Sequence, residues 1–175
     1  MTIKQKELFY KIIFFIGLVA MIWEIRIYRQ TIIDIKILLG IVFIVGILTM
    51  FFSLNDFQKL FNYKRKSVLY LWTFIQSAVS WGFIACSIFM FANYYLASDE
   101  SNKQTYGILE RSSMPGRKYH RNERKPTFKI SYNGKIKELV FSHEYYDKME
   151  SYQNVELTVK KGFFGYDLLL EQKLK

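Results

Sequence analysis

Residues 37–54, ILLGIVFIVGILTMFFSL, hold no charged side chain over eighteen positions. An α-helix rises about 1.5 Å per residue, so roughly 20 apolar residues cross the hydrocarbon core of a bilayer. With Ile35 and its flanks the stretch is long enough, and it sets the class of the whole molecule. Residues 68–97, VLYLWTFIQSAVSWGFIACSIFMFANYYLA, run thirty positions without charge. That exceeds one perpendicular crossing and predicts a tilted or protruding helix. The first segment is shorter. Only residues 12–23, IIFFIGLVAMIW, are free of charge, between Lys11 and Glu24. Snorkelling of long basic side chains extends that span to about residues 8–27. A cleaved signal peptide is the rival reading, with Lys4 and Lys6 as its charged start. The run ends in Met-Ile-Trp-Glu, without the small-x-small site that cleavage needs.

The rest of the chain is a different material. Residues 1–98 contain ten basic and four acidic groups, residues 99–175 fifteen and eleven. The mean hydropathy of +0.03 is therefore an average over a membrane part, 1–98, and a small polar part, 99–175. One cysteine excludes an internal disulfide framework, and 18% aromatics argues against long disorder. Tyr10, Trp23 and Tyr28 flank the first span. Phe57 and Phe61 follow the second, Tyr70 and Trp72 open the third, and Tyr94 and Tyr95 close it, as amphipathic rings at headgroup level do.

Three crossings place the N-terminus and the 55–67 loop on one side. Lys4, Lys6, Lys11, Lys59, Lys64, Arg65 and Lys66 lie there, against Arg26, Arg29, Lys36 and Lys103 on the other. The positive-inside rule then predicts a cytoplasmic N-terminus and a C-terminal part outside the cytoplasm, which is the periplasm if the membrane is the bacterial inner (cytoplasmic) membrane that the resemblance given below implies.

The third span carries a polar face. Thr73, Gln76, Ser77, Ser80 and Ser87 recur at helical spacing, and Ala78 with Gly82 forms a small-xxx-small pair. In lipid, close packing of small residues and hydroxyl hydrogen bonds drive helix association. Thr73, Ser77, Ser80, Gly82 and Ser87 are the expected helix–helix contacts. They serve packing within the chain, contact with another copy or subunit, or a pore stripe. The second and third spans contain no ionisable acid, base or histidine, and no broken-helix repeat is visible, which argues against secondary transport. Cys86 reads as a small buried hydrophobe.

From about residue 104 the period changes to two. Strands are predicted over 104–111, 126–132, 135–142, 154–160 and 164–171, with a helix or tight loop at 143–151. Asn133-Gly134 is a strong hairpin signal. The fold class is three transmembrane helices followed by a small antiparallel domain of five strands, in OB-like order or as a curled sheet. The residues Gly107, Pro126, Phe128, Tyr132, Gly134, Val155, Val159 and Gly162 give an order of parts over about 104–168. In that order the chain resembles a group of small bacterial multi-pass membrane proteins of unknown function with a C-terminal β-rich domain. Their common Tyr-Asp-Pro ending is replaced here by Gly165-Tyr166-Asp167-Leu168. The resemblance implies a membrane-tethered β module with no known activity.

Candidate chemistry gathers in the loop 111–125, RSSMPGRKYHRNERK. Arg117, Lys118, Tyr119, His120, Arg121, Arg124 and Lys125 offer contact to an anionic ligand, a nucleotide or lipid headgroups, against the plainer reading of a solvated hairpin loop. Phe163 and Phe164, at a Gly-bounded turn, either enter the membrane interface or a partner, or close the end of the β core. Two His and one Cys cannot build a zinc site, and no activated-serine or phosphate-cradling motif is present. No metal, cofactor, nucleic-acid partner or enzymatic activity is expected. The expected partners are the lipid bilayer and other membrane subunits or self. The expected function is presentation of the β domain at the membrane surface for protein binding, as a subunit of a membrane complex. The alternative is a ligand-gated oligomeric effector of the bacterial-defence type, whose β domain senses an anionic signal.

Overall fold

The computed structural model describes residues 2–116, 118 and 123–175. It contains three helices long and apolar enough to cross a membrane, followed by a curled antiparallel sheet of five strands. Helix α1, Ile3–Gln30, starts earlier than its apolar run because Thr2 and Gln5 close a reciprocal capping box. Helix α2, Ile35–Phe61, opens on the Asp34 carboxylate, which accepts from the Lys36 amide at 3.0 Å, and ends at the left-handed Asn62. The third span, Lys66–Tyr95, is α3 (Lys66–Ser77), a π-helical turn (Ala78–Gly82) and α4 (Phe83–Tyr95).

Glycines set how closely these helices cross. A Cβ on Gly17 of α1 would stand 2.1 Å from the Val79 carbonyl oxygen, inside the π turn. Lipid supplies no hydrophobic force between helices, so such backbone proximity is what packing has to work with. Near the N-terminal end of α1 the Lys6 ammonium meets the Asp56 carboxylate of α2 at 2.6 Å, the Tyr10 hydroxyl donates to the same group at 3.1 Å, and Gln76 donates to the Tyr10 carbonyl at 3.0 Å. One polar cluster thus ties all three spans.

The strands are β1 (Ser101–Met114), β2 (Lys125–Tyr132), β3 (Lys135–Val140), β4 (Asn154–Lys161) and β5 (Asp167–Leu174), in sheet order β3-β2-β1-β4-β5. The long β1 pairs through its first half with β4 and through its second half with β2, with a register shift between Ile108 and Glu110. An extra residue there bends the strand, so that one chain segment serves both halves of the curl. Asn133 and Gly134 both take positive φ (47° and 77°), the conformation that their hairpin needs. Phe128, Ile130, Leu139, Val155, Leu157 and Val159 fill the interior.

The segment 143–151 is a tight loop, opened by a 3-10 turn over His143–Tyr145. Strand bounds differ from the alternation pattern: β1 runs over 101–114 and not 104–111, and β3 ends at Val140 and not at 142. The last strand starts at Asp167, not at Phe164. Gly165 (φ 84°) donates to the Gly162 carbonyl at 2.8 Å, and Gly162 donates to the Tyr166 carbonyl at 3.1 Å. The backbone of 162–166 is therefore committed to a turn. The chain divides into a helical unit that includes Lys161–Leu168, and a β unit of Asp99–Lys160 and Leu169–Lys175.

Candidate functional site

In the basic loop, Arg117, Tyr119, His120 and Arg121 lie outside the described residues. Lys118 and Arg124 are exposed and Lys125 is half-buried at the start of β2. The Arg124 guanidinium stands 6.0 Å from the Tyr146 ring centre, and its carbonyl lies 2.8 Å from His143 Nδ1. The stem of the loop is thus held against the 143–146 turn.

The polar face of the third span is used inside the chain. Thr73, Ser77, Ser80 and Ser87 are all buried, and Gly82 would place a Cβ 2.9 Å from the Val42 carbonyl of α2. Ser80 returns its hydroxyl to the Gln76 carbonyl at 2.5 Å. Ser87 does something that helix periodicity did not show. It donates to Glu24 Oε2 of α1 at 3.0 Å, while the neighbouring Cys86 thiol lies 3.1 Å from Oε1. Glu24 is only 8% exposed, so its two carboxylate oxygens are aimed into the bundle and each meets a donor. The pairing follows from the burial cost of an acid, which is met only where donors reach both oxygens.

Phe163 and Phe164 do not close the β core. Phe164 stacks on Phe89 of α4, with ring centres 4.7 Å apart, and Tyr166 meets the same ring edge-on at 5.9 Å. Asn93 of α4, wholly buried, holds this turn: its Nδ2 donates to the Tyr166 carbonyl at 3.1 Å and its Oδ1 accepts from the Phe164 amide at 3.0 Å. The Phe163 amide reaches the Asn93 carbonyl at 3.2 Å. Gly162 fits because a Cβ there would lie 2.3 Å from the Tyr166 carbonyl. An asparagine inside an apolar helix was the sequence signal for this clamp, since a buried amide requires partners.

The β unit offers one further surface. Strand β3 is an outer strand of the sheet, paired with β2 on one side. Over 136–140 its side chains alternate: Leu139 is buried, while Ile136 (73% exposed) and Val140 (41%) point outward. Lys137 shares the inward set, half-buried opposite Ile130, and burial pushes its ammonium below the usual lysine range. Along the outer side, the Val140 carbonyl accepts from Gln172 Nε2 of β5 at 2.9 Å, a side-chain link across the opening of the curl. Chemically this is a strand template, with main-chain groups facing outward between two apolar side chains. Among the described residues, no three His, Cys, Asp or Glu side chains gather as metal ligands would. No family model, curated protein or solved structure matches the chain.

Proposed function

We propose that the chain is a non-enzymatic integral membrane protein whose β unit binds a protein partner, within a membrane complex. The observation that carries this reading is the β3 edge: an end strand whose outer side has no strand partner among the described residues, with Ile136 and Val140 outward and the half-buried Lys137 inward. Strand addition to such an edge gives affinity through main-chain hydrogen bonds and selectivity through alternate side chains. The excess of basic residues around Lys64, Arg65 and Lys66 supports a cytoplasmic N-terminus, with the β unit on the periplasmic face of a bacterial inner membrane. The polar face of the third span is spent on α1 and α2, which leaves the β edge as the better-founded contact surface.

Copurification after mild detergent extraction tests the reading. A discrete partner should remain with the wild-type chain and be lost from Ile136→Asp, while Thr158→Asp on β4 retains it. A monodisperse monomer without any partner would contradict it.

A further inference from the structure

The outward flank of α1 contains a second kind of surface. Ile12, Phe15, Val19 and Trp23 recur at three- and four-residue steps and line a groove of about 510 Å³, walled on the other side by Phe91 of α4. Trp23 and Phe91 meet edge-to-face with ring centres 6.0 Å apart, so the far wall is an aromatic pair and not a loose side chain. The groove continues, through Val19 and Trp23, into a smaller one of about 330 Å³ that ends on Arg26. Every lining group but the last is apolar.

Lengths and charge point to the occupant. From Ile12 to Arg26 is fourteen residues, about 21 Å of helix, which exceeds the roughly 15 Å of one leaflet of the hydrocarbon core, so the Ile12 end reaches past the midplane. Measured from the middle of the charge-free stretch 12–23, Arg26 stands about 13 Å out, close to the boundary of that core. Its side chain is exposed and makes no ion pair among the described residues. A cation at the headgroup end of an apolar groove that runs from there past the midplane, beside an indole, complements a phosphate attached to an acyl chain. Guanidinium binds phosphate through paired hydrogen bonds, and the indole prefers the headgroup level.

We propose that this groove is a binding site for one anionic phospholipid, with an acyl chain along Ile12, Phe15, Val19 and Trp23 and the phosphate on Arg26. The site is independent of the β3 edge and stands or falls without it. It differs from the general lipid boundary in being headgroup-selective, because only one position in its lining is charged. Arg29, exposed on the same helix, lines neither groove.

Native mass spectrometry of the full chain in detergent, titrated separately with phosphatidylglycerol and phosphatidylcholine, tests it. The wild type should retain one phosphatidylglycerol in clear preference to phosphatidylcholine. Arg26→Gln should lower phosphatidylglycerol retention about fivefold, the effect of one basic group at a membrane surface. Arg29→Gln should leave retention unchanged, and Val19→Trp, which fills the groove from its lipid-facing side, should lower retention of both lipids. A thermal scan of each variant separates loss of the site from loss of the fold. Equal retention of the two lipids by the wild type, or Arg26→Gln binding as the wild type does, would overturn the proposal. So would a doubled mass that Val19→Trp returns to monomer, since a second copy of the chain would then be the occupant.

Discussion

Replacing Gly17 with alanine adds a single methyl group, and the structure places it 2.1 Å from the Val79 carbonyl oxygen and 2.9 Å from the Ser80 Cα. Neither obstacle is a rotatable side chain. Ordinary van der Waals contact starts near 3.4 Å, so α1 must retreat by about 1.3 Å or the π turn Ala78–Gly82 must reform. Overpacking of this kind costs about 1–3 kcal/mol, and a backbone target places it at the upper end, about 2–3 kcal/mol. Retreat also loosens the contacts that hold Ser87 and Cys86 on Glu24. Cys86 is the only thiol in the chain and is 2% exposed, so a thiol-reactive fluorophore reports opening of the bundle directly. In a thermal scan, Gly17→Ala should label at a temperature lower by roughly 4–12 °C, taking 2–4 °C per kcal/mol for a chain of this size. Gly40→Ala is the matched control: nothing lies within 4 Å of its added Cβ, and alanine favours helix, so it should label no earlier than wild type. Coincident labelling curves for wild type, Gly17→Ala and Gly40→Ala would refute the proposed crossing of α1 with the third span.

Asn93→Ala removes both side-chain bonds to the 162–166 turn and strands the Phe164 amide, while the Tyr166 carbonyl keeps its bond from the Gly162 amide; it should cost about 1–3 kcal/mol and open the turn to limited proteolysis, measured by the rate of cleavage there. Glu24→Leu should leave the Ser87 hydroxyl and Cys86 thiol without their acceptor and raise thiol labelling at 25 °C, whereas Glu24→Gln, which keeps a carbonyl acceptor, should label more slowly than Glu24→Leu. In the β unit, the Lys175 ammonium hydrogen-bonds Glu156 and holds its carboxyl below the usual glutamate range. A depressed folded value means that the stabilisation is present above the unfolded value, near 4.5, and fades as pH falls through the folded one. Thermal scans of wild type against Glu156→Gln should converge below that window and separate above it. A C-terminal alkaline phosphatase fusion should be active, since its disulfides form in the periplasm; an inactive phosphatase fusion expressed at the same level would reverse the proposed orientation and favour the ligand-gated alternative.

The spans at 37–54 and 68–97 were legible because absence of charge over a bilayer's thickness is a property of single segments. The first span was less so, since its N-terminal end is set by the Thr2–Gln5 cap and by Asp56, which takes up Lys6 from another helix. Asn133-Gly134 announced its hairpin because both residues tolerate positive φ. The start of β5 was misplaced for a definite reason. Phe164, Tyr166 and Leu168 alternate whether they lie in a strand or in a turn whose rings face α4, and only the bonds to Asn93 separate the two. Glu24 looked like the end of an apolar run. Its partners are 62 and 63 positions away, and the register between α1 and α4 that unites them has no signature in either helix alone. The hydroxyl face of the third span was visible as helix-contact chemistry, but which helix it met was decided by Gly17 and Gly82, through close approaches that spacing does not encode.

The central claim, that an open β3 edge receives a partner strand, is tested most directly by a photo-crosslinking amino acid placed at position 136 in the intact chain in its native membrane, with position 158 as control. The expected result is one protein adduct of defined mass at 136, absent at 158 and competed by a fragment of the captured protein that spans the crosslinked strand. Adducts only to lipid, or an equal spread of adducts at 136 and 158, would contradict the claim.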